Sequence, residues 1–226
     1  SSTKRGNMSC MNLIPKRIDV AIIGSGFAGL SAAMEAANNG AKVTIFEKMS
    51  SPGGNSTMNA GQIAAVGSPH QAKAGIKDSV ELFKNDMLAA GVNLNHPSLL
   101  DKMIQESWKT VDWTQKEFGI KYRDRLTQMG GHSVPRTLST INHSGRDIID
   151  PMLRKIESMP GISLELNTAF HSFVHGDKES GHDEVVGIKV ISQANETPQE
   201  VLCNKGVVIA NGGFSADIDF RRVSAY

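Results

Sequence analysis

An α/β fold is what this sequence predicts, with a Rossmann-type parallel sheet, a helical insertion and an antiparallel β-meander. Three observations predict it. Asp19-Val20-Ala21-Ile22-Ile23-Gly24-Ser25-Gly26-Phe27-Ala28-Gly29 reads as a strand rich in β-branched residues running into a glycine turn. An alanine-rich helix from Leu30 to Asn38 follows, capped by Gly40, and a second strand, Val43-Thr44-Ile45-Phe46, ends on an acid, Glu47. From Gly161 onward the apolar period shortens to that of strands.

The turn carries a chemical meaning. In G-x-G-x-x-G, Gly24 allows the tight turn, Gly26 lets the main chain approach phosphates, and Gly29 lets helix pack on strand. The helix N-terminus then presents free N–H groups to an anion. Glu47 follows at the distance, about twenty residues, where a carboxylate accepts hydrogen bonds from ribose hydroxyls. The motif with this context points to an adenine dinucleotide.

The remaining elements follow in order. Met49 to Ser56 is a turn-rich crossover, and Asn59-Ala60-Gly61-Gln62-Ile63-Ala64-Ala65 has the small-residue density that lets backbone lie against a planar ligand. The middle third is helical. Asp78 is expected to cap a helix to Gly91 with Val80, Phe83 and Met87 inward, and Pro97 to start one carrying Leu100, Met103, Ile104, Trp108 and Val111. Trp108 and Trp113 read as core anchors, and the scattered methionines as core filler. Asp150-Pro151 is either the N-terminal pair of a helix to Met159 or a kink inside a longer one from Gly145. Strands are expected at Ile162–Leu166, Phe170–Val174, Val185–Ser192, Val201-Leu202 and Gly206–Ala210, with hairpin loops at His175–Asp183 and Gln193–Gln199. The last strand enters another small-residue turn, Asn211-Gly212-Gly213-Phe214.

Composition narrows the partners. The 226 residues are 39% apolar, enough to bury a core, and 24 basic against 23 acidic residues give a net charge of +1 without a run of either sign. No nucleic-acid partner is indicated, and a small molecule is. Cys10 and Cys203 match no C-x-x-C, haem or zinc spacing. No apolar run has the length of a membrane span, and no signal-peptide pattern precedes Lys16, which leaves the compartment open.

The strings Gly24 to Gly29, Glu47-Lys48, Gly53-Gly54-Asn55-Ser56 with Ala60-Gly61, and Val207-Val208-Ile209-Ala210-Asn211-Gly212-Gly213-Phe214 resemble the FAD-binding domain of the fumarate reductase and succinate dehydrogenase flavoprotein family. The soluble flavocytochrome c type fumarate reductases are most similar, with urocanate and other enoate reductases as near relatives. The resemblance covers nearly all of Arg17 to Phe214. Residues 1–16, polar and glycine-containing, read as a linker, and the resemblance implies, over 17–226, the N-terminal part of an FAD-binding domain without capping domain or C-terminal return segment.

Carried over, the family's use of FAD puts the pyrophosphate on Ser25, Gly26, Phe27, Ala28 and Gly29 and the adenosine ribose on Glu47, with Lys48 beside it. Gly54, Asn55, Ser56, Ala60 and Gly61 match the stretch that lines the flavin, Ala169 a backbone contact to adenine, and Ala210-Asn211-Gly212 the Ala-Thr-Gly turn near the pyrophosphate. Asn211 departs from that threonine. Membrane-complex members attach FAD through a histidine, and Asn55 to Gln62 holds none, so the cofactor is expected to be non-covalent FAD.

The family reaction is hydride transfer from flavin N5 to an α,β-unsaturated carboxylate, with an arginine as proton donor and an Arg/His clamp on the carboxylate. Those residues lie after the Gly-Gly-Phe turn in the family, so no catalytic residue is named here and this piece alone is expected to be inactive. An enoate substrate and an electron donor domain or protein are the implied partners. Two alternatives stay open, a flavin dehydrogenase of ketosteroids or amino acids and a non-catalytic nucleotide-binding fragment. A flavoprotein disulfide reductase is disfavoured by the lack of a redox cysteine pair and of a second G-x-G-x-x-G.

Among the lone ionisable residues, His132 and Arg136 read as a loop histidine and a solvated arginine. His143 and Arg146 stand where the family tends to have Pro-Thr-Gly-Gly. His70, His96, His171, His175 and His182 read as surface or turn residues, with no metal-ligand spacing.

Overall fold

Alternating apolar residues in two short strands start the architecture. In β1 (Lys16–Ile23), Val20 and Ile22 face one side while Ile18, Ala21 and Ile23 face the other; in β2 (Val43–Phe46), Val43 and Ile45 oppose Phe46. Both faces are therefore covered, as a parallel sheet requires. The computed structural model describes residues 16–176 and 184–223. Within them the chain continues through α1 (Phe27–Asn38), α2 (Asn55–Met58), β3 (Gln62–Ala64), α3 (Pro69–Lys73), α4 (Val80–Ala90), α5 (Pro97–Phe118), β4 (Thr137–Ser139) and α6 (Arg146–Glu157). It ends with β5 (Ile162–Glu165), β6 (Thr168–His175), β7 (Val185–Ser192), β8 (Asn195–Ile209) and α7 (Ile218–Val223).

Six strands form the main sheet in the order β5-β2-β1-β8-β7-β6. The β5, β2, β1 and β8 pairings are parallel, whereas β7 runs antiparallel to both β8 and β6. A second, two-stranded antiparallel sheet joins β3 to β4. One core cluster packs α1, α5 and α6 on the first face through Ile22, Leu30, Ile45, Val111, Ile149 and Met152; the opposite face gathers Ile18, Phe46, Ile188 and Val201. A third cluster, Phe83, Leu100 and Ile104, joins α4 to α5.

Several expectations need correction. Ser79, not Asp78, caps α4, its hydroxyl accepting the Leu82 N–H at 3.0 Å, because Asp78 is engaged elsewhere. Val80 and Met103 are exposed, while Phe83, Leu100, Ile104 and Val111 are buried and Trp108 and Trp113 pack against the first core cluster. The α6 helix resolves the Pro151 alternatives in favour of a proline inside a helix, where burial of Ile148, Ile149, Met152 and Ile156 outweighs the missing backbone donor. The two short strands expected near the end are one, β8, and only residues 193 and 194 turn. Pairing of Asn195 with Ser192 and Gln199 with Val190 draws a polar stretch into the sheet, and a bulge between Cys203 and Gly206 supplies the break that the sequence suggested. Met34 and Met152 are core methionines, but Met49, Met58, Met103 and Met129 are exposed. His70 lies in α3 against the Trp108 edge, and His175 belongs to β6 rather than to the loop after it, whereas His171 is exposed on β6 as a surface residue should be. Cys10, His182, most of the linker and the His175–Asp183 loop beyond Gly176 lie outside the described residues.

The parallel register sets the level of the site. Ile23 is opposite Phe46 on one side and Ile209 on the other, so Gly24, Glu47 and Ala210 emerge together at the carboxyl ends of three adjacent strands. There the backbone is in tight contact. A Cβ on Gly29 would stand 2.0 Å from Gly24 O, so α1 rests directly on the turn. Gly29→Ala must therefore push helix from turn and is expected to destabilise the protein by about 1–3 kcal/mol, the usual range for overpacking. Urea unfolding measures it; an unchanged midpoint would refute the close packing.

Candidate functional site

Two glycine-containing segments face each other at this level. Ser25, fully buried, gives both of its donors to Glu47: its N–H reaches Oε2 at 3.1 Å and its hydroxyl reaches the same oxygen at 2.5 Å. Glu47 Oε1 accepts the Met49 N–H at 2.9 Å. Ser25 Oγ in turn accepts the Gly53 N–H at 2.9 Å, and on the other side of Gly26 the Phe27 N–H donates to Ser56 Oγ at 3.1 Å. Gly26 is thus flanked by two stitches to residues 53–56. Below it, Glu47 O accepts the Thr168 N–H, tying β6 and its Ala169 to the end of β2.

The turn also keeps donors unpaired. The first bond within α1 runs from Leu30 N–H to Gly26 O, so the N–H groups of Ala28 and Gly29 have no helical carbonyl to meet. On the far side, Ala210 N–H donates to Ile23 O at 2.8 Å, and the positive φ of the following turn falls on Gly212, at 81°, not on Asn211. Lys48, Gly54, Asn55, Ala60, Asn211 and Gly212 are exposed, while Ser56 and Ala169 are half-buried. Gly61 is buried for an internal reason, since with φ of 59° a Cβ there would sit 2.3 Å from Thr140 Oγ1 and 2.5 Å from Ser144 O.

The β3–β4 sheet brings in a cluster that sequence reading missed. Arg136 is fully buried, not solvated: Nε and Nη2 donate to the two oxygens of Asp78 at 2.9 and 2.8 Å, and Nη1 to Asp86 Oδ2 at 2.5 Å. Its guanidinium lies 4.4 Å from the centre of the Phe83 ring. Nη1 also meets His132 Nδ1 at 2.9 Å. Arginine only donates, so Nδ1 accepts and the imidazole proton resides on Nε2. Two acids at a spacing of eight, ahead of an arginine fifty residues later, give no local signal of this cluster. Gln71 completes it, donating to Asp78 Oδ2 at 2.7 Å and Pro135 O at 3.1 Å.

Burial works against charge on Asp86, but hydrogen bonds from Ser133 and Arg136 outweigh it and bring the carboxyl down to about 2. Asp78 is lowered likewise, burial being overcome by Arg136 and Gln71. His132 is lowered, by burial first and by the neighbouring Arg136 charge second. His143, with φ of 51°, and Arg146 are exposed, the latter 3.8 Å from Asp150. Among the described residues no group of three His, Cys, Asp or Glu could hold a metal ion, and no helix is long and apolar enough to cross a membrane.

The geometry suits a dinucleotide: bare backbone at Gly26, where a Cβ would enter the gap to Ser56 Oγ at 3.2 Å, and open space beside Gly54 and Gly212. A family profile described as FAD binding domain matches residues 19–225. The chain belongs to the FAD binding domain family. Its cofactor is FAD, and its relatives are flavoprotein reductases. It is 38% identical over 213 residues to an acrylate reductase flavoprotein subunit of Shewanella woodyi, covering 91% of this chain and 41% of the relative. It is 36% identical to an NADH:fumarate oxidoreductase of Klebsiella pneumoniae, covering 90% of this chain and 21% of the relative. The chain thus spans less than half the length of either.

An open conformation of a flavocytochrome c3 fumarate reductase superposes on this FAD-binding domain with a TM-score of 0.80 at 30% identity, over 88% of this chain and 34% of that one. A 3-ketosteroid dehydrogenase from Rhodococcus jostii RHA1, with a TM-score of 0.75 at 22% identity over 92% of this chain and 48% of that one, shares the fold.

Replacing Arg136 by Met leaves two buried carboxylates without their cation and is expected to destabilise by about 3–5 kcal/mol in urea unfolding. Indifference to the change would contradict the buried pairing. Acid should act in two stages. The folded-state value of His132 lies below its ordinary value, so the unfolded chain takes up that proton first, and the contribution is complete above about pH 6.5 and erodes below it. Asp86 contributes fully above about pH 4 and loses its share as pH falls toward 2. His132→Gln should flatten the upper stage in unfolding measured from pH 7.5 to 5; an unaltered slope would dismiss His132 as its source.

Proposed function

We propose that this chain is the FAD-binding portion of a flavin-dependent oxidoreductase that reduces an α,β-unsaturated carboxylate such as fumarate. The observation that carries the reading is the pair of relatives aligned over nine-tenths of the chain, both reductases by name, one of acrylate and one of fumarate. When bound, FAD supplies the hydride, from N5.

The chain's own residues bind and orient the cofactor. Glu47, at the end of β2, takes the adenosine ribose with Lys48 beside it, and Ala169 on β6 meets adenine through its backbone. The pyrophosphate lies against Ser25 to Gly29. Because both Ser25 donors are given to Glu47, the N–H groups of Ala28 and Gly29 and the positive end of α1 neutralise it. Ala210, Asn211 and Gly212 close the other side. Gly54, Asn55, Ser56, Ala60 and Gly61 line the flavin, which is held without a covalent bond since residues 55–62 include no histidine.

Arg136, locked between Asp78 and Asp86, is in no position to give up a proton at this opening. The acid and the carboxylate clamp belong to parts of the enzyme outside residues 17–223, and so does the electron donor. Accordingly, the 226-residue chain loaded with FAD is expected to reduce fumarate with reduced viologen no faster than free flavin does. Turnover well above that background would place the chemistry within this chain. Glu47→Ala should weaken FAD binding by about 1.5–3 kcal/mol, the range for hydrogen bonds to a charged group; equal affinity in a fluorescence titration would sink the ribose assignment.

A further inference from the structure

A buried hydroxyl with one long-range donor and one long-range acceptor is not explained by the turn itself. Ser25 Oγ donates to Glu47 Oε2 at 2.5 Å and accepts from Gly53 N–H at 2.9 Å, linking segments 22 and 28 residues away, at zero exposure. A tight turn at this place requires the glycines, and any small residue satisfies the position between them. The hydroxyl therefore does something that a methyl group does not.

Its two bonds fix different things. The first, with the Ser25 N–H, occupies both lone pairs of Glu47 Oε2, while the Met49 N–H occupies one of Oε1. The carboxylate is held in one plane with a single acceptor site remaining, on Oε1. The second bond draws in Gly53, whose carbonyl accepts the Ser56 N–H at 3.1 Å, and Ser56 Oγ accepts the Phe27 N–H. One side chain thus connects the carboxylate at the end of β2 with the stretch that starts α2.

We infer that Ser25 is a positioning residue that orients the Glu47 carboxylate toward the adenosine ribose and, through Gly53, registers the second glycine stretch against the first turn. The inference rests on the FAD reading above and adds a role that the glycine motif does not carry. Without the hydroxyl, the carboxylate regains rotational freedom and Gly53 loses the acceptor of its N–H. Binding energy is then consumed in reordering them.

A double-substitution cycle tests this, with the full chain titrated with FAD and with ADP, which keeps the ribose and lacks the flavin. Wild type is titrated first, and failure to bind either ligand would overturn the cofactor reading itself. Ser25→Ala is expected to weaken both ligands by about tenfold, the effect of one hydrogen bond to a charged group. In a Glu47→Ala background the same substitution should weaken ADP by less than about twofold, because residues that act through one another are not additive. Thermal unfolding of each variant separates loss of fold from loss of affinity. Ser25→Cys, which retains shape and a weak donor, is the second variant and should lie between wild type and Ser25→Ala. Wild-type ADP affinity in folded Ser25→Ala would overturn the inference, as would a folded Ser25→Cys no better than Ser25→Ala, or effects of Ser25→Ala and Glu47→Ala that simply multiply.

Discussion

A backbone carbonyl, Ala210 O, lies 2.5 Å from where a Cβ on residue 24 would have to stand. Around this one approach the functional part of the molecule is arranged. Three parallel strands end at the same level, and the loops leaving them must share a space too small for side chains. Residue 24 therefore has no side chain and a φ of 101°, a region that glycine alone enters without strain. Residue 29 is bare because the helix axis passes so close to the turn. The start of α1, with the Ala28 and Gly29 N–H groups unpaired, lies at this turn, and an anion placed against it is stabilised by the helix dipole.

The second structural device is a buried charge. Arg136 and its two aspartates unite three parts of the helical insertion: the link into α4 through Asp78, α4 itself through Asp86, and the segment before β4. Such a cluster is weak evidence for stability, since desolvation of three ions offsets most of their attraction. Its geometry nevertheless has a consequence for the site. Arg136 O accepts the Ala65 N–H, β4 pairs with β3, and Thr140 N–H donates to Gly61 O, so the anchored arginine sets where residues 60 and 61 lie. A core of apolar residues would fill the same volume with less directional control.

How much was legible depends on whether the determining contact is local. The first turn, α1 and β2 were readable because the glycine spacing, the alanine-rich helix and the acid ending the strand are all within thirty residues. The β6–β7–β8 meander was readable in outline from its period. Its polar section was not, because Asn195 to Glu200 become strand only through pairing with β7, an interaction that hydropathy does not encode. Asp78 illustrates the same limit at the level of one residue. Its position before a helix favours a cap, yet an arginine fifty-eight residues away claims it, and the adjacent serine caps instead.

For this protein the sequence by itself determined the family and the cofactor, because a dinucleotide imposes its requirements on consecutive residues: bare backbone, a helix start and an acid one strand away. Only the tertiary structure decided what each ionisable group does. It buried Arg136, left Arg146 in solvent, made His132 an acceptor through Nδ1, and gave both donors of Ser25 to Glu47. The physical reason is that the state of a charged or polar side chain depends on burial and on partners brought from distant parts of the chain, neither of which is a property of its neighbours in sequence.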